Sequence, residues 1–217
     1  MLKLPKLGCI IRAEVRAMQA ELPYTPLLYK DAWTREVSAP RLLAHNDEIG
    51  NCAIVAALNC IQGYLGWEGN FNPLPAQYGI KYYSAVTGYV PGVASTDKGT
   101  DPEQLFAWWQ VNPIAGFKLK EVFPINPADI NGLKNAIYGP GNQSRGVFLC
   151  VELANEQIGA YQWSASTPNL ANGHAIWADD YIADRINGTS WGCLEQINES
   201  FFPAQAAMAY ALKILPD

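Results

Sequence analysis

A polar, turn-prone run (His45, Asn46, Asp47, Glu48, then Gly50 and Asn51) breaks directly into Cys52-Ala-Ile-Val-Ala-Ala-Leu. The pattern predicts a loop followed at once by a helix of small residues, with a thiol in its first turn. Ala53, Ala56 and Ala57 are small enough to let that helix pack tightly through a core. The first backbone N–H groups of a helix have no intrahelical partner, and the macrodipole is positive at that end. Both favour thiolate over thiol, so a cysteine placed there is expected below its free pKa of about 8.5. Chemistry in this chain is expected to start at Cys52.

The rest of the composition narrows the setting. With 217 residues, 49% of them apolar and 16% charged, the chain can bury one large core. A net charge of −5 without a Lys/Arg cluster argues against a nucleic-acid surface. The five cysteines (9, 52, 60, 150 and 193) include no C-x-x-C pair. Structural zinc therefore has no support, and free, mostly buried thiols in a reducing compartment are expected. No cofactor and no metal are expected. Asp179-Asp180 and Asp97…Asp101 lack the spaced ligand set of a calcium loop. The N-terminus lacks the continuous apolar core of a signal peptide, and no apolar run is long enough to span a membrane. The N-x-S/T triplets at Asn142, Asn187 and Asn198 then read as chance. A cytoplasmic or virion-associated protein is expected.

Taken in order, residues 1–44 predict one short helix, roughly 12–22, and a proline-punctuated arm carrying Tyr24, Tyr29 and Trp33. That arm should wrap the domain surface, and the 40-odd residues before Asn46 are too short and too proline-broken for an inhibitory pro-domain of the usual kind. Residues 45–217 form the main domain. Helices are expected from Cys52 to about 65, at 76–88 and 131–138, and from the Asp101-Pro-Glu-Gln start, where Asp101 is the N-cap and proline takes the first position. Strands are expected at 117–123, 146–152 and 173–178 and between 181 and 190, and an Ala-rich helix at 202–215. Helices thus dominate the first 140 residues and strands the next 50, which argues for α+β rather than alternating α/β.

Only two histidines are present, His45 and His174. A thiolate hydrolase needs a base beside the nucleophile and a third group holding that base. On residue types alone, a buried thiol and a packed strand histidine are the simpler account of Cys52 and His174. Their surroundings change it. Asn46…Gly50-Asn51-Cys52-Ala53 resembles the Gln…Gly-Ser-Cys segment of the papain-like cysteine peptidase superfamily. Gly173-His174-Ala175-Ile176, continuing through Asp180-Tyr181, resembles that family's Gly-His-Ala-Val…Gly-Tyr strand. Thr189-Ser190-Trp191-Gly192 resembles its Asn-Ser-Trp-Gly segment. The Cys-to-His separation is somewhat under the roughly 130–150 residues of papain-type enzymes, implying a trimmed version of the fold.

The resemblance covers most of the chain from about Asn46 and implies a papain-like α+β fold, with a helical half (about 45–140) packed on an antiparallel sheet half (about 141–217). It implies Cys52 as nucleophile, His174 as base and Asn46, where the family has Gln, as oxyanion donor. The group orienting the imidazole falls on Thr189, with Asn187 two residues earlier on the same strand face as the alternative. His45, in the same loop as the thiol, is a weaker competitor for the base. The general pattern is most like short papain-like proteins of bacteriophages and prophages. Two functions follow. One is a cysteine hydrolase acting on a peptide or amide bond, with cell-wall peptide cross-links as one possible substrate. The other is a catalytically weak or inactive papain-like interaction protein, plausibly a virion component assembled into a phage particle. Thr189 in place of Asn, the shorter Asn46 and the acidic Asp47 and Glu48 favour the second.

Overall fold

The computed structural model describes residues 5–23, 32–33, 39–139 and 145–217. Helix α1 (Ala13–Ala20) opens the chain, and a two-residue strand β1 (Ala32–Trp33) follows. The remaining arm residues, 24–31 and 34–38, with Tyr24 and Tyr29, lie outside the described residues. Helix α2 (Cys52–Trp67) begins at the thiol, as expected, and is buried along nearly its whole length. A helix apolar on all sides is stable only inside a core. Two buried amides in it hold its flanking loops. Asn59 brackets the backbone of Leu42, and Gln62 does the same for Asn72 and Leu74.

Helix α3 (Gln77–Thr87) ends at Gly88 in the left-handed conformation (φ 78°), where a side chain would be strained. In α4 (Pro102–Val111) the Asp101 carboxylate accepts from the Glu103 N–H, as the Asp-Pro start predicts. After β2 (Phe117–Ile125) and α5 (Ile130–Tyr138), the chain is mostly strand: β3 (Val147–Glu152), β4 (Gln162–Trp163), β5 (Gly173–Ile182), β6 (Arg185–Ser190) and β7 (Cys193–Asn198).

The tail departs from expectation. Only Phe201–Gln205 is helical (α6), and Ala206–Pro216 is a strand, β8. It lies between β2 and β3, buried almost throughout. Alanine favours helix by only about 0.5–1 kcal/mol per residue over poor formers, and pairing on both edges outweighs that. The strand signal is Met208, Tyr210, Leu212 and Ile214, which alternate with smaller residues and enter one core.

The eight strands form one sheet in the order β2-β8-β3-β5-β6-β7-β4, with β1 on β5. Helices α2, α3 and α4 cover one face, joined by Phe148, Cys150, Ala175 and Trp177. Helices α5 and α6, with Trp163, Trp191 and Ile176, fill the other. Strand β5 is therefore buried on both faces, and its alternate residues look into different cores. Among the described residues no helix is long and apolar enough to cross a membrane.

Candidate active site

Cys52 is the first residue of α2, and no side chain caps that end, because the Asn51 amide donates instead to the Ala44 carbonyl. The thiol is nonetheless not activated as it stands. It is fully buried, and burial pushes its pKa well above the ordinary thiol range, with Cys9 adding to the rise. The backbone N–H groups of Ala175, Gly8 and Ala53 pull the other way without prevailing. The expectation of a lowered thiol pKa is corrected here. Desolvation of an enclosed sulfur exceeds what a helix terminus supplies.

The enclosing element is the N-terminal segment itself. Residues 5–11 run through the site as a strap. Cys9 donates its N–H to the Gly173 carbonyl (3.0 Å), Thr100 donates to the Gly8 carbonyl (2.6 Å), and Ile10 donates back to Thr100 (3.0 Å). The fit depends on glycine. A Cβ on Gly8 would stand 2.2 Å from the Gly50 carbonyl oxygen, one on Gly99 2.3 Å from Gly8 O, and one on Gly173 2.2 Å from Cys9 O. Lys6 pairs with Asp97, which also accepts from the Gly50 N–H and the Tyr83 hydroxyl. Burial would raise the Asp97 carboxyl, but those bonds, Lys6 foremost, hold it below the usual carboxylate range.

The thiol takes the N–H of Ala175, so it lies beside the chain of His174. His174 is fully buried, and burial pulls its pKa down to about 3, so the imidazole is neutral. Its Nε2 is 2.6 Å from Ser190 Oγ, and Nδ1 has no hydrogen-bond partner. Trp191 stacks on the ring at 4.5 Å between centroids, with Trp163 edge-on at 6.4 Å.

The group on the imidazole is thus Ser190, not Thr189 or Asn187. Thr189 is paired across from Trp177, and Asn187 from Asp180. Thr189 therefore shares the face of Trp177 toward the helices, whereas His174 looks to the opposite core. Strand alternation assigns the contact to the next residue. The parity of 189 and 190 relative to 174 cannot be read before the β5–β6 register is known, and that register shifts between Ala178 and Asp180.

Asn46 is 1% exposed, and its Nδ2 has no partner, an orphan donor of the kind an oxyanion site requires. It follows Ala44 and His45, both at positive φ (44° and 66°), in a sharp turn that Gly79 admits by approaching the Ala44 carbonyl. His45 points away, with Nδ1 3.2 Å from the Glu48 carboxylate at the surface. Among the described residues no group of three or more His, Cys, Asp or Glu side chains is placed to hold a metal.

No family model and no curated protein matches the sequence. Solved structures do match. Xylellain, a cysteine protease from Xylella fastidiosa, is similar over 98% of this chain and 97% of its own, at 14% identity and a TM-score of 0.71. The SERA5 proenzyme of Plasmodium falciparum matches 98% of this chain and 71% of its own, at 10% identity and a TM-score of 0.55. The proform of Amb a 11, a cysteine protease and ragweed pollen allergen, matches 97% of this chain and 70% of its own, at 10% identity and a TM-score of 0.52. At these identities the likeness is one of architecture: the chain has the papain-like cysteine protease fold.

Proposed function

We propose that this protein is a cysteine peptidase held in a covered resting state by its own N-terminal strap. The observation that carries the reading is the state of His174: Nε2 is tied to Ser190, while Nδ1 is unpartnered beside the residue that holds the Cys52 thiol. With Nε2–H donating to Ser190 Oγ, Nδ1 keeps the lone pair a general base needs.

Once the strap leaves, water and substrate relieve the desolvation that keeps both groups neutral. Cys52 and His174 face opposite sides of β5 in the covered state; the opening brings them within reach, Cys52 gives its proton to His174 Nδ1, and the thiolate attacks the acyl carbon. The Cys52 N–H and Asn46 Nδ2 hold the oxyanion, and His174 returns the proton to the leaving amine. Water completes the cycle by hydrolysing the thioester. Ser190 acts as a positioning residue, and Thr189 and Asn187 pack the sheet. Two chains of this fold, matched over 71% and 70% of their own length, are described as a proenzyme and a proform, the kind of covered state proposed here.

A second reading, an idle papain-like interaction protein, draws on the complete burial of Cys52 and on a hydroxyl where an amide is usual. Assembly into a phage particle rests on sequence pattern alone. The test is iodoacetamide labelling of Cys52 against pH in Gly8→Val, where the strap no longer fits, with and without His174→Ala. Labelling that persists to about pH 5–6 and collapses in His174→Ala is expected for a thiolate–imidazolium pair. Labelling that rises only near pH 8–9, indifferent to His174, favours the idle fold.

A further inference from the structure

Beside the imidazole lies a cavity of about 230 Å³ that the hydrolytic steps do not use. Trp191 forms one wall, so a single ring separates the cavity from His174. Leu43, Cys193 and Pro5 of the strap add apolar surface, Asp47 lines it, and Glu195 borders it from β7.

Glu195 is the unusual member. It is 1% exposed, and its Oε2 has no hydrogen-bond partner. It is paired across from Gly188, which presents no side chain to meet it, and it faces the same core as Ile197. Burial alone pushes its carboxyl up to about 8. A buried carboxyl without a partner is costly unless a cation or a donor completes it. No Lys or Arg lines the cavity among the described residues, and the nearby Lys6 is engaged with Asp97. An apolar-walled pocket ending in a carboxyl matches a side chain with an aliphatic stem and a charged head. At this volume it accommodates one side chain rather than a drug-sized ligand of about 300–1,000 Å³.

We propose that this cavity binds the side chain of a lysine or arginine, with Glu195 as the residue that selects the cation. If the peptidase reading holds, the cavity's place next to the proton-returning histidine makes it the pocket for the residue on the leaving-group side of the scissile bond.

The test uses the full chain. Binding of Nα-acetyl-lysine amide and its uncharged counterpart Nα-acetyl-norleucine amide is followed by Trp191 indole NMR shifts, in the parent and in Glu195→Gln. The lysine amide is expected to bind about tenfold tighter or more in the parent, with the preference falling to about twofold or less in Glu195→Gln. Equal binding of the two probes in the parent, or a preference that survives Glu195→Gln, overturns the assignment. A second arm offers Gly8→Val peptides with lysine or norleucine after the scissile bond. Faster cleavage of the lysine peptide supports the leaving-group placement, and indifference overturns it. Lysine binding without cleavage of either peptide removes the peptidase reading and leaves the cation pocket standing.

Discussion

On the helical side of β5, Cys52 sits in a filled space: small α2 residues behind it, the strap in front and backbone amides around the sulfur. On the other side, His174 stands among aromatic rings beside an open cavity, with an unpartnered Nδ1 and, across Trp191, a lone carboxyl. Both halves are buried, yet one is satisfied by the protein's own chain and the other is left incomplete. The thiol half is shut by residues 5–11, the element proposed to leave. The imidazole half is held by sheet pairing and ring stacking, and the strap reaches it as well: Pro5 lines the cavity and Trp191 Nε1–H donates to the Lys6 carbonyl (3.5 Å).

That contrast can be broken most strongly at Cys52. In the Gly8→Val background, Cys52→Ala is expected to lower peptide hydrolysis by about 10⁴-fold or more, with far-UV CD unchanged. Retained hydrolysis would place the nucleophile elsewhere. Asn46→Ala should cost about 10²–10³ in kcat in the same background, leaving KM nearly constant. The strap comes next. Forcing a Val side chain against the Gly50 carbonyl costs about 1–3 kcal/mol, so Gly8→Val should speed Cys52 alkylation roughly ten- to hundredfold. No acceleration would mean the strap does not control access.

On the imidazole side the effects are smaller. Ser190→Ala removes a bond worth about 0.5–1.5 kcal/mol. It should lower kcat about three- to tenfold and alter the pH profile of Cys52 alkylation, whereas Thr189→Ala should change neither beyond about twofold. The reverse ranking would restore Thr189 as the orienting group. The smallest effect is in stability against pH. Glu195 is held neutral up to about 8 in the fold, against an ordinary value of 4.5. Between those values the unfolded chain releases a proton that the folded chain keeps, so stability falls as pH rises. Glu195→Gln should therefore gain Tm over the parent toward pH 8 and lose that advantage near pH 4.5. His174 works in the opposite sense. Held down at about 3 against an ordinary 6.5, it destabilises the fold as pH falls through that window.

Much of the architecture was legible locally. The Cys52 start of α2, the Asp101-Pro102 start of α4, the buried β3 run and the segregation of helices from strands all follow from short-range pattern. In the tail an Ala content that favours helix meets an alternation of Met208, Tyr210, Leu212 and Ile214 that favours strand. Locally the two signals compete, and only pairing with β2 and β3 resolves them.

Three features of the site belong to tertiary structure alone. The strap reaches the thiol because Gly8, Gly50, Gly99 and Gly173, scattered along the chain, meet in one slot. Ser190 rather than Thr189 meets His174 because a register shift sets which residues share a face. The neutrality of Cys52 and His174 comes from burial, a property of the assembled core. By itself the sequence determined which residue types stand at a helix start and on a buried strand, since propensity and periodicity act over a few residues. Which groups touch, and whether they are charged, was decided by contacts between distant segments, where desolvation outweighs the local field of the helix.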